Sequence, residues 1–189
     1  MNINYYISGI TFGNGLFLVM GDSGLIMSST DGLSWTTRTS GTSKDLSSGT
    51  YGNGRYVVVG DDGTILTSPD GITWTSITSG TTNTLFGVTF QNGIFISLGP
   101  YGTILTSTDG ITWTSKTSGT TITLEDGVYG NSKYVVVGYD GIILTSTDGV
   151  TWTSRISGTT KNLYEITYGE NIFVSVGGTA WESLIITSQ

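Results

Sequence analysis

Tryptophans spaced 39 residues apart, turn clusters repeating at the same interval, and short unbroken apolar runs between those clusters predict an all-β chain folded as a five-bladed β-propeller. Each blade is expected to carry four antiparallel strands in about 39 residues, with the last blade lacking its outer strand. The indoles are Trp35, Trp74, Trp113 and Trp152, and the same string precedes each, from Ser29-Thr30-Asp31-Gly32 in the first copy to Ser146-Thr147-Asp148-Gly149 in the fourth. An aromatic residue ahead of a tight turn keeps the step at Phe12, Tyr51, Phe90 and Tyr129, and continues it to Tyr168, marking a fifth, shortened copy. The copies run approximately 7–45, 46–84, 85–123, 124–162 and 163–189 and are expected to form one domain, 1–189, because a chain of 189 residues scarcely allows two.

The third copy shows the elements in order. Leu85–Phe90 is a first strand, and Gln91-Asn92-Gly93 is a tight turn whose Asn-Gly supplies the positive φ a hairpin needs. Ile94–Leu98 is the second strand, Gly99-Pro100-Tyr101-Gly102 turns the chain into a third at Thr103–Ser107, and Ile111–Thr117 is the fourth. Ser118-Gly119-Thr120-Thr121 leads to the next copy. The second strands are apolar at successive positions, as in Tyr56-Val57-Val58-Val59 and Tyr134-Val135-Val136-Val137, where a sheet with one wet face would alternate. Both faces are therefore covered, which radial packing of blades provides.

Composition removes several functions. The chain has no Cys and no His, so disulfides, thiolate catalysis, the commonest general base and the commonest metal ligands are lacking, and no cofactor or metal is expected. Charged residues are 11% of the chain with a net charge of −7, which argues against a phosphate backbone and hence against nucleic acid as partner. No apolar stretch approaches the ~18 residues of a membrane span, and the start lacks the features of a signal peptide, so membrane insertion is not expected and no compartment is assigned.

The string Ser-x-Asp-Gly-x-x-Trp resembles the Asp-box, the hairpin motif of sialidase-type, BNR-like propellers, and is one residue shorter between Asp and Trp than the usual motif. The resemblance covers nearly the whole chain. It implies a propeller, and its relatives include glycoside hydrolases, lectin-like sugar-binding modules and photosystem II assembly factors, so it speaks for fold more than for function. Asp31, Asp70, Asp109 and Asp148 are read as structural, accepting hydrogen bonds from their own turns, while Trp35, Trp74, Trp113 and Trp152 bury rings between blades. Metal or substrate binding by these aspartates is the alternative.

Function is sought where the copies differ. The turns between second and third strands vary most, and the fifth, Gly177 to Ser183, is the longest and carries Trp181, the only Trp outside the repeat. Trp181, Tyr101 and Tyr139 with Asp61, Asp62 and Asp140 combine aromatic platforms and carboxylates, the residue types of a carbohydrate site. The alternative reading makes them ordinary turn residues, with Trp181 covering a weakened edge. On the first strands, the third position is Gly9, Ser48, Gly87, Asp126 and Glu165; the two acids fit a glycosidase pair, a cation site or solvated side chains. The arginines, Arg38, Arg55 and Arg155, are not expected to converge as a sialidase requires, so no catalytic residue is assigned.

The fifth copy leaves Ser183–Thr187 as an apolar edge strand, to be closed by Asn2-Ile3-Asn4-Tyr5, left three-stranded, or covered by a partner chain or a second copy. The expected function is a non-catalytic binding propeller with lectin-like recognition of a glycan on one face. The alternative is a structural or assembly protein, a virion decoration or an assembly-factor-like scaffold, docking another protein; a glycoside hydrolase comes last.

Overall fold

The computed structural model describes residues 5–188, whose regular elements are strands and short 3-10 turns. The strands form five sheets, each with its strands in chain order, the blades of a five-bladed β-propeller. The first sheet holds β1 (Ile7–Gly13), β2 (Leu16–Gly21), β3 (Leu25–Ser29) and β4 (Thr36–Arg38); the second holds β5 (Leu46–Gly52), β6 (Arg55–Gly60), β7 (Ile65–Ser68) and β8 (Thr75–Ile77). The third comprises β9 (Gly87–Gln91), β10 (Ile94–Leu98), β11 (Ile104–Ser107) and β12 (Thr114–Lys116). The fourth comprises β13 (Leu124–Gly130), β14 (Lys133–Gly138), β15 (Ile143–Ser146) and β16 (Thr153–Arg155), and the three-stranded fifth β17 (Asn162–Gly169), β18 (Ile172–Gly178) and β19 (Ser183–Ser188).

The chain divides into two compact units, Met1–Ser97 with Ser107–Thr114, and Leu98–Thr106 with Ser115–Gln189. In the first unit the Asn53-Gly54 turn places both residues at positive φ, 45° and 76°, the twist a two-residue hairpin requires. Successive residues of β2 serve opposite faces of one sheet. Leu18 and Met20 join Ile26, Leu46, Tyr56, Val58 and Leu66 with Trp74 packed against them, whereas Val19 joins Leu25 and Met27 under Trp35. This is why the apolar runs do not alternate. Each fully buried aliphatic side chain there contributes about 2 kcal/mol of burial. Tyr56 donates its hydroxyl proton to the Gly13 carbonyl of the neighbouring sheet, and a Cβ on Gly13 would lie 2.2 Å from Tyr51 Cβ, so glycine alone lets the two sheets approach.

In the second unit Val135, Val137, Leu163, Ile166 and Phe173 form the buried cluster. Gly130 repeats the close approach, with its notional Cβ 2.2 Å from the Tyr168 ring.

The fourth strands are shorter than the sequence suggests: β12 is Thr114–Lys116 where Ile111–Thr117 was expected. The Asp109 carboxylate takes the N–H groups of Ile111 and Thr112 at 2.8 and 2.7 Å, so these donors are withdrawn from the ladder. The first strand likewise starts later, at Gly87 instead of Leu85. Of the segment expected to close the fifth sheet, Asn2-Ile3-Asn4 lies outside the described residues and Tyr5 is exposed.

Candidate functional site

A β-bulge near the start of the first strand of the first, second, fourth and fifth sheets sets the site. The register shifts between Ile7 and Gly9, Leu46 and Ser48, Leu124 and Asp126, and Leu163 and Glu165, leaving Ser8, Ser47, Glu125 and Tyr164 as the extra residues. Bulged residues are re-aimed away from the ladder. In the second unit the two bulges carry functional groups where the first unit has serines. The Tyr139 hydroxyl donates to Glu125, and the Tyr139 and Tyr164 rings meet edge to face at 6.2 Å and 90°.

Asn162 ties this pair to the neighbouring turn. Its Oδ1 accepts the Asp140 N–H at 3.1 Å, as Asp45 Oδ1 accepts Ser23 N–H at 2.7 Å in the first unit, while its Nδ2 donates to the Tyr164 oxygen at 3.3 Å. The adjacent Lys161 pairs with Glu182 on the β18–β19 turn, which closes through a 2.8 Å bond from Thr179 N–H to the Glu182 carbonyl. Trp181 sits on that turn with its surface 93% exposed.

Burial pushes the Glu125 carboxyl above its ordinary value, with the Asp126 charge adding and the Tyr139 hydrogen bond opposing. The Glu125 charge in turn raises Tyr139. Asp126 is also raised, by burial, although its Oδ2 accepts the Ile166 N–H at 2.9 Å and its Oδ1 the Gly127 N–H at 2.8 Å. The Ile166 bond bridges the fourth and fifth sheets. Ser48 makes the same bridge in the first unit, its Oγ accepting the Val88 N–H at 3.3 Å. Asp126 is thus engaged in sheet packing.

Of the residues singled out by sequence, Tyr139, Asp140 and Trp181 lie along this chain of contacts. Tyr101, also in the second unit, is 73% exposed on a turn of its own at φ 56°. Asp61 and Asp62 belong to the first unit: Asp62 pairs with Lys44, and Asp61 accepts the Thr84 hydroxyl at 3.2 Å. Sequence reasoning missed Tyr164, Asn162 and the Lys161–Glu182 pair. The second column of the repeat, Ser8, Ser47, Phe86, Glu125 and Tyr164, also changes character in the last two copies, and that change is the signal that points to the bulge.

In the hairpins, Asp31 accepts N–H bonds from Leu33 and Ser34, both at 2.8 Å, and Asp70, Asp109 and Asp148 repeat the pattern. These bonds hold Asp31, Asp109 and Asp148 at about 2 and lower Asp70 as well. Arg38, Arg55 and Arg155 each bond a hydroxyl of their own sheet, Ser28, Thr67 and Thr145. Among the described residues no three acids, histidines or cysteines gather as a metal site, and no helix is long and apolar enough to cross a membrane.

No protein-family model matches the chain, and no curated protein matches it. Solved structures do. The chain is similar over its whole length to YCF48 bound to D1 peptide, with a TM-score of 0.76 and 15% identity, covering 66% of that chain. It is similar over 94% of its length to YCF48 from Cyanidioschyzon merolae, with a TM-score of 0.69 and 18% identity, covering 66% of that chain. The WD40 β-propeller domain of Doa1 matches over 94% of this chain and 64% of its own, with a TM-score of 0.71 and 14% identity. The chain thus spans 64–66% of the length of these structures, and at such identities the likeness is one of fold.

Proposed function

We propose that this chain is a non-catalytic binding propeller that docks another protein through the surface running from Glu125, Tyr139 and Tyr164 to Trp181. The observation that carries this reading is the exposed Trp181 on a turn that the Lys161–Glu182 pair ties to the start of the strand carrying Tyr164, since Trp and Tyr are the side chains protein interfaces favour. A peptide-bound structure of YCF48 among the similar folds supports a protein partner. The recurrent Ser-x-Asp-Gly hairpins, read as Asp-boxes, then serve as scaffold, with their carboxylates spent on their own turns.

Glycan recognition is the second reading, favoured by the exposed Trp181 and Tyr101 rings near hydroxyl-rich turns. A peptide array and a glycan array, each probed with the wild-type chain and with Tyr164→Ala and Trp181→Ala, separate the two. Protein docking predicts peptide binding weakened roughly tenfold or more by either substitution at unchanged melting temperature. Binding confined to sugars would replace it with the second reading, and binding indifferent to both substitutions would remove this surface from either.

A further inference from the structure

The fourth and fifth copies place side chains at one turn and two bulges that the first two copies fill differently. Tyr139 stands where those have Asp22 and Asp61, and Glu125 and Tyr164 stand where they have Ser8 and Ser47. Both tyrosines are held through their hydroxyls, Tyr139 by donating to Glu125 and Tyr164 by accepting from Asn162 Nδ2 at 3.3 Å. The ring orientations are thereby set. The rings meet at 90° and keep 40% and 44% of their surface exposed, which makes an aromatic corner between the fourth and fifth sheets.

The charge at this corner is one-sided. Glu125 feels the charge of Asp126, and Asp126 that of Glu165. Among the described residues the two ion pairs are Lys44–Asp62 and Lys161–Glu182, so no cation of this chain is paired with Glu125. Arg155 is engaged by Thr145, and Lys133 lies over the Phe173 ring. A half-buried carboxylate beside further acids gains from a counter-cation, which restores to the charged form what burial withdraws.

Resting on the protein-docking reading of this surface, we infer that the partner presents an arginine to the corner, its guanidinium stacking on the Tyr139 and Tyr164 rings and donating to the Glu125 carboxylate. Charge alone would admit lysine. The planar guanidinium matches both a ring face and a carboxylate, so the combination of the two favours arginine. A second copy carries the same net charge of −7, and its three arginines each bond a hydroxyl of their own sheet. The cation therefore comes from a basic segment of a different protein, whose charge complements this surface.

A fluorescein-labelled peptide, Gly-Ser-Arg-Gly-Ser-Arg-Gly-Ser-Arg-Gly, titrated with the full chain and followed by anisotropy, tests the assignment. Saturable binding is expected, weakened by lysine in place of arginine and weakened further, roughly tenfold or more, by citrulline. Glu125→Gln, which keeps an acceptor for the Tyr139 hydroxyl, and Tyr164→Ser, which installs the residue that Ser47 supplies at the bulge of the second sheet, should each cost about as much as citrulline at unchanged melting temperature. Asp22→Asn removes one charge from the first unit and should leave binding unchanged. An equal loss there means that the peptide senses net charge alone and overturns the inference, as does equal affinity for the arginine and citrulline peptides, or no saturation up to millimolar peptide. The peptide array keeps the two readings apart: capture that depends on Tyr164 without enrichment of arginine overturns the arginine and leaves docking standing, whereas capture indifferent to Tyr164 removes both.

Discussion

At the scale of single residues, the hairpin aspartates make the fold sensitive to acid. Asp31, Asp109 and Asp148 titrate at about 2 in the folded chain against an ordinary 3.8, so on acidification the unfolded chain takes up protons first. The stability they supply is complete above about pH 4 and is lost as pH falls toward 2. Melting temperature recorded across that window should drop steeply for the wild type and less for a chain with Asp→Asn at all three sites. Asp126 behaves oppositely: its folded value is raised, so it contributes most when protonated and its contribution falls as pH rises through that value. Asp126→Ser, which installs the group that Ser48 uses for the same bridge, should keep most of the stability and flatten that slope. Asp126→Ala leaves the Ile166 N–H without its acceptor and should cost about 1–3 kcal/mol in urea denaturation.

At the scale of elements, the glycines of the connecting turns have two kinds of neighbourhood, as Gly141 between β14 and β15 and Gly158 between β16 and β17 show. Gly141 has φ 71°, and a Cβ there would lie 2.1 Å from the Thr159 carbonyl oxygen, whereas Gly158, at φ 78°, has nothing within 4 Å of that position. Gly141→Ala should therefore cost clearly more than the about 1 kcal/mol that left-handed backbone alone imposes on Gly158→Ala, a difference two denaturation curves will show. Turns such as Asn53-Gly54 were legible in the sequence because their residue types are dictated by backbone geometry. The bulges were not. An extra residue in a strand leaves the apolar pattern on either side intact, so Glu125 and Tyr164 read as ordinary strand positions until the register shift is seen. The short fourth strands were hidden for a related reason, since donors claimed by an aspartate look the same in sequence as donors in a ladder.

At the scale of the whole molecule, stability rests on packed sheets and hydroxyl hydrogen bonds more than on charge. The Lys44–Asp62 and Lys161–Glu182 pairs are partly or largely exposed, and such pairs contribute about 0–1 kcal/mol. Raising NaCl to half molar should accordingly shift the melting temperature little, and a large loss would point to ionic interactions beyond these two. The number of blades and the three-stranded last sheet were readable because identical chemistry recurs at a fixed interval, whereas the surface near Trp181 arises from what the copies do not share. The packing of Trp74 against Leu18, Met20 and Ile26 of the preceding sheet has a temporal side. A sheet whose hydrophobic face is closed by the indole of its successor stays unfinished until that successor has been synthesised, so on the ribosome maturation of the first unit trails elongation by one repeat, and an arrested nascent chain would present its newest sheet to chaperones with one face still wet.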